Sequence, residues 1–233
     1  MELQKLTEPL AGLARRRYDD ACGTAHALDL IGERWALLVM RELMLGPKRF
    51  NDIRADLPGL SANVLTQRLE SLEKSGLLIR RKLPPPANSQ VYELTDWGYE
   101  AEPIVQSLGR WAARSPAHDP RLPISAVSLM LSFRTMFDAG RAKGFEARIG
   151  FRLGAETFLA HIASGRLEID RAPVADADII FTGAAAAVAA AVYGGQGLDD
   201  LATAGALSVE GDRRRAERFL GLFPLPPKVI PAA

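Results

Sequence analysis

Apolar residues recur through the first half of the chain at helical spacing. Over residues 25–31 and 34–45 they fall at i, i+3, i+4 steps (Leu28 and Ile31, then Trp35, Leu38, Val39 and Leu43), which lines them along one side of a helix. Gly46-Pro47 stops the second segment, and a short helical stretch over 50–57 ends at Pro58-Gly59. Ser61 then stands at an N-cap position, its hydroxyl able to accept from the first free amides of a helix over 61–75. Leu65, Leu69 and Leu72 form the i, i+4, i+7 core stripe of that helix, and Gly76 ends it. There the period changes from 3.6 to 2. Residues 77–83 and 91–94 predict two strands joined by 84–90, and Thr95 caps a further helix carrying Ile104, Val105, Leu108 and Trp111.

Residues 115–123 (SPAHDPRLP) hold three prolines and no hydrophobic period, the pattern of a linker. Beyond it an amphipathic helix over 127–137 carries Met130, Leu131, Phe133 and Phe137. Residues 145–153 then alternate strictly, with Phe145, Ala147, Ile149, Phe151 and Leu153 on one face and Glu146, Arg148, Gly150 and Arg152 on the other. Strands over 156–163 and 166–170 flank the turn Ser164-Gly165, and a fourth covers 178–182. An alanine-rich helix over 184–193 closes on Gly194-Gly195, a short strand covers 207–210, and a last helix covers 212–222. The proline-containing tail from Pro224 packs as extended chain. The fold class is α+β, in three parts. The pattern predicts a winged helix-turn-helix over residues 1–115, a linker over 116–124, and a second domain built on an antiparallel sheet over 125–233.

Composition narrows the class. At 233 residues, 48% hydrophobic and 24% charged, the chain is an ordinary soluble globular protein with room for two cores. No apolar run is long enough to span a membrane, the N-terminus lacks a secretory pattern, and the single cysteine, Cys22, excludes an internal disulfide framework. The expected location is a reducing cytoplasm. Net charge is only +1, but between Arg41 and Lys82 nine basic residues face five acidic ones. That local excess is an electrostatic footprint for nucleic acid.

The capped helix suits the major groove, where a helix presents its N-terminal residues to base edges. With its leucines turned inward, the outer face near Ser61 shows Ala62, Asn63, Thr66 and Gln67, with Arg68 at the margin. Asn and Gln pair bidentately with adenine, and small side chains touch the thymine methyl. Lys48 and Arg49 before the short helix, and Arg80, Arg81 and Lys82 on the first wing strand, are placed for phosphates. His26, His118 and His161 are scattered without ligand spacing, and no nucleophile elbow, phosphate loop or carboxylate pair stands out. The reading is a non-enzyme with no cofactor and no metal.

The runs CGTAHALDLIGERWALLVMREL, GPKRFNDIRADLPGLSANVLTQRLESLEKSGLLIRR and VYELTDWG resemble the HxlR-type winged-helix regulators, a branch related to the MarR-like repressors, over residues 22–111. The resemblance implies a homodimer on a pseudo-palindromic double-stranded DNA operator, without enzymatic activity in this half. Dimerisation is expected through residues 10–18 and 104–111, where Leu10, Leu13, Leu108 and Trp111 are surplus to the winged-helix core. Two departures stand out: Gly23 follows the cysteine where the family has proline, and Ser89-Gln90 replace a basic residue at the wing tip.

The second domain resembles sterol-carrier proteins in the runs ADIIFTG, YGGQG and LATAGALSVEGD. That resemblance implies an apolar tunnel for a hydrophobic small-molecule effector, lined by Phe133, Phe137, Phe151, Phe158 and Val192. The leading function is a transcription regulator of repressor type modulated by that effector. The alternatives are a redox- or electrophile-responsive regulator working through Cys22, and a lipid or acyl carrier protein.

Overall fold

The computed structural model describes residues 18–230. Its first half runs α1 (Gly23–Ile31), α2 (Ala36–Leu43), α3 (Phe50–Asp56), α4 (Ala62–Lys74), β1 (Leu78–Lys82), β2 (Gln90–Leu94), α5 (Asp96–Tyr99) and α6 (Glu102–Ala112). The expected order is present with two changes. α2 starts two residues later than its apolar pattern, because Trp35 at its N-cap is held left-handed at φ 79°. The helix expected after Thr95 is split into α5 and α6. Pro103 sits in the first turn of α6, and it lacks the N–H that a continuous helix would donate back to Tyr99. Leu10 and Leu13 of the expected dimer contact lie outside the described residues.

Caps and close approaches fix the wing. The Ser61 hydroxyl accepts from the Val64 amide at 3.3 Å, as its position predicts. Thr95 Oγ1 accepts from the Gly98 amide (3.1 Å) and donates to the Gly76 carbonyl (2.8 Å), tying α5 to the end of α4. Gly98 is required there, since a Cβ at that position would lie 2.1 Å from the Leu77 carbonyl oxygen. β1 and β2 pair antiparallel with Arg80 opposite Tyr92, and Tyr92 forms a second, antiparallel bridge to Lys48.

The second half runs α7 (Ala126–Met136), β3 (Ala147–Leu153), β4 (Glu156–Ala163), β5 (Arg166–Asp170), β6 (Ile179–Gly183), α8 (Ala185–Tyr193), α9 (Leu198–Thr203), β7 (Leu207–Gly211) and α10 (Arg213–Leu220). α9 is too short for its apolar period to register in the sequence. The sheet order is β5-β4-β3-β6-β7, and the expected all-antiparallel sheet is corrected: β3 and β6 run parallel. The reason is topological. β5 and β6 point the same way on opposite sides of the β4–β3 hairpin, so residues 171–178 must cross the sheet. They cross at Gly150, where a Cβ would lie 2.7 Å from Val174 Cβ. This crossing buries Gly150 on the face expected to meet solvent.

One continuous set of buried side chains runs from Ala36 in α2 to Phe223. Polar links join the halves as well: Ser125 Oγ donates to Glu42 Oε1 (2.9 Å), Arg110 to the Thr135 carbonyl (2.7 Å), and Arg134 pairs with Glu102 (2.7 Å). The stretch over 115–123 is not a free connector. Lys228 Nζ donates to the carbonyls of Ala113 (3.0 Å), Ser115 (2.9 Å) and His118 (3.3 Å), so the extended tail straps it down.

Candidate nucleic-acid interface

On α4 the leucines Leu65, Leu69 and Leu72 are buried, which forces Ser61, Asn63, Thr66 and Gln67 outward and leaves Ala62 partly exposed beside them. Thr66 Oγ1 donates to the Ala62 carbonyl (3.0 Å), so its methyl is the part free to meet an apolar group. Arg68 departs from expectation. Its side chain is only 15% exposed and leans back on Glu33 at 3.3 Å, the carboxylate at the end of α1. It braces the helix rather than extending the outer face.

The wing keeps its three cations exposed. Arg80 pairs with Glu73 of α4 (3.0 Å) and stacks over the Tyr92 ring at 5.6 Å, while Arg81 pairs with Glu93 across the strands. Exposed pairs of this kind contribute about 0–1 kcal/mol, so a phosphate can take either arginine at small cost. Arg49 is exposed at the N-cap of α3, and its Nε donates to Ser89 Oγ at the wing tip (3.1 Å). The start of α3 is thus joined to the wing tip through Arg49 and Ser89, and the wing is joined to the last turn of α4 through Arg80 and Glu73.

Lys48 is the correction. Expected at a phosphate, it is 4% exposed and lies inside the protein. Its backbone is locked to Tyr92 by N–H···O bonds of 3.0 and 2.9 Å, which turns its side chain inward. There the ammonium meets Asp56, Glu156 Oε1 at 3.0 Å and Glu42 Oε2 at 3.6 Å. Burial alone would lower its pKa, but the bond to Asp56 and the fields of Glu156 and Glu42 outweigh that and raise it. Burial pushes the Glu42 carboxyl up, against the pull of Arg41 and Lys48. Glu156 is desolvated too, yet Lys48 and Arg171 hold its carboxyl below the ordinary range. Sequence reasoning missed this cluster, although one signal was present: Glu42 lies within the apolar stripe of α2 between Val39 and Leu43.

The family model for the HxlR-like helix-turn-helix matches residues 30–119. The HTH-type transcriptional regulator YvaP of Bacillus subtilis (strain 168) is 38% identical over 86 residues, which are 37% of this chain and 80% of YvaP. The chain belongs to the HxlR-like helix-turn-helix family. YodB, a transcriptional regulator of the same organism, is 36% identical over 86 residues, 37% of this chain and 77% of YodB. Among solved structures, the reduced form of YodB is 33% identical and covers 42% of this chain and 98% of its own, with a TM-score of 0.38. The HxlR-like match ends at residue 119, so α7 to α10 and the five-stranded sheet lie outside it. The surface of α4, α3 and the wing lies wholly within it.

The residues proposed to line an apolar tunnel do not line one. Phe133, Phe151 and Phe158 are fully buried, and the Phe133 ring lies 4.5 Å from Phe223, 5.7 Å from Phe219 and 5.8 Å from Phe151. Phe137 packs on Phe223 at 6.1 Å, and Val192 packs against the same core. Aromatic side chains fill the space they were expected to enclose. The large groove lies elsewhere, between the two halves, with a volume of about 640 Å³.

Cys22 is exposed at the N-cap of α1, where the Thr24 amide and hydroxyl and the Ala25 amide hold its thiol below the ordinary value. Among the described residues no group of His, Cys, Asp and Glu is placed to hold a metal ion, and no helix is long and apolar enough to cross a membrane.

Proposed function

We propose that this chain is a cytoplasmic, sequence-specific regulator of transcription, of repressor type and without enzymatic activity, that binds a double-stranded DNA operator as a homodimer. The observation that carries the reading is the outward set Asn63, Thr66 and Gln67 at the start of α4, together with the exposed cations Arg80, Arg81 and Lys82 on the strand that follows it. The helix reads base edges and the wing grips phosphates. The dimer contact includes the outer face of α6, where Ile104, Leu108 and Trp111 are 51%, 44% and 72% exposed. Residues 125–233 are proposed as the sensing domain, similar in pattern to sterol-carrier proteins, responding to a hydrophobic small molecule.

The test is selection of bound duplexes from a random pool, followed by titration of the selected and a scrambled duplex. Gln67→Ala should weaken binding to the selected duplex by about 1–3 kcal/mol and leave the scrambled one nearly unchanged. Equal losses on both would remove Gln67 from base reading. Cys22 favours a second reading, an electrophile- or oxidant-responsive regulator, because its thiol is exposed at the start of α1, where the neighbouring Thr24 and Ala25 lower its pKa. On that reading Cys22→Ser abolishes any effect of diamide on duplex affinity.

A further inference from the structure

The groove between the halves is walled by α2 and α6 on one side and by α7 and α8 on the other, with the proline-rich stretch before α7 as its rim. Leu38, Val105 and Leu131 make it apolar, and its volume of about 640 Å³ is that of a small-molecule site. The charges on its walls are already matched. Arg41 pairs with the buried Glu42 at 2.6 Å, and Asp119 is held by Arg121 at 2.9 Å. An ionic guest would meet no unpaired opposite charge.

Beside His118, Ser128 and Thr135, whose Oγ1 donates to the Leu131 carbonyl (2.7 Å), the lining holds a pair of hydroxyls that gives the guest its chemistry. Ser132 on α7 and Tyr193 at the end of α8 both line the groove, their hydroxyl oxygens 2.8 Å apart. Ser132 Oγ also lies 2.7 Å from the Leu129 carbonyl, an acceptor that has no proton to give. Both contacts are satisfied together when Ser132 gives its single proton to Leu129 and accepts from Tyr193. Burial keeps the Tyr193 phenol protonated. Its proton is committed, so its oxygen can offer the groove only lone pairs.

We infer that this groove binds a small, neutral, apolar molecule carrying a hydrogen-bond donor, of the phenol or alcohol class, with the donor directed at Tyr193. Its regulatory meaning rests on the proposed sensing role. α2 packs against α4, so a guest wedged between α2 and α7 bears on the DNA-reading helix through a shared core.

The test uses full-length protein and two near-isosteric probes, 2-naphthol and 2-methoxynaphthalene, followed by fluorescence and calorimetry. Wild type should bind 2-naphthol saturably at one site per chain, about three- to tenfold tighter than the ether that lacks the donor. Tyr193→Phe should erase that preference while retaining the ether's affinity. Ser128→Trp and Ala189→Trp, both on the groove wall, should each abolish binding of both probes. Absence of saturable binding to wild type, equal affinity for the two probes, or undiminished binding by whichever tryptophan variant is folded by circular dichroism would overturn the inference. Duplex affinity measured with and without 2-naphthol is a separate reading. Binding at the groove with no change in duplex affinity would leave the site standing and remove the sensing role.

Discussion

Replacing Lys48 by methionine separates its structural place from the DNA contact that its position in the sequence suggests. Methionine keeps the apolar stem and removes the ammonium. What remains is Glu42, fully buried, whose Oε1 still meets Arg41 at 2.6 Å and Ser125 at 2.9 Å, but whose Oε2 accepts no hydrogen bond and loses the lysine that lay 3.6 Å away. At an effective dielectric near 20, that pair alone is worth roughly 4–5 kcal/mol of attraction, offset by the several kcal/mol needed to desolvate the ammonium. Breaking a buried pair from one side costs about 3–5 kcal/mol, because the surviving charge stays buried. Protonation of Glu42, whose carboxyl burial already raises, limits the loss to that range. For a chain of this size such a change lowers Tm by about 6–20 °C. The assay is thermal unfolding followed by circular dichroism, beside duplex titrations at several salt concentrations. The double variant Lys48→Met/Glu42→Gln should recover about half of the loss, since it removes the orphaned charge. A Tm within 2 °C of wild type, with weaker duplex binding and a shallower salt slope, would refute the reasoning and return Lys48 to the phosphates.

Arg81→Ala should weaken all duplexes alike and reduce the slope of log K against log salt by about 0.9, as loss of one phosphate contact requires; an unchanged slope would exclude that contact. Trp111→Glu, placed on the exposed face of α6, should shift a dimer toward monomer by light scattering while leaving Tm nearly unchanged. Gly98→Ala drives a methyl group into the Leu77 carbonyl and should destabilise by about 1–3 kcal/mol, read as a lower urea midpoint. Glu156, depressed below its ordinary value of 4.5, stabilises the fold above that pH and loses the contribution as pH falls through its folded value. Glu42 acts with the opposite sign, so Glu156→Gln should flatten the acid limb of the stability profile and Glu42→Gln should steepen it.

The sequence alone determined every element that a local rule controls. Ser61 and Thr95 marked their helices because a hydroxyl before a helix has one good use, and the change of period at Leu77 marked the wing. The exposed face of α4 followed from its leucines, since burying one stripe decides where the other residues point. The turn at Ser164-Gly165 marked the hairpin in which Ala163 pairs with Arg166. Tertiary structure decided whatever depends on residues distant in the chain. Lys48 reads as a surface cation until the bridge to Tyr92 turns it toward Glu156, a partner more than a hundred positions away. The parallel pairing of β3 with β6 depends on a crossing at Gly150 that no local pattern encodes. Five apolar residues in the second half were legible as inward-facing, but inward-facing aromatics either enclose a space or fill it. Only the stacking of Phe133 on Phe223 decided that they fill it, leaving the open volume where the two halves meet.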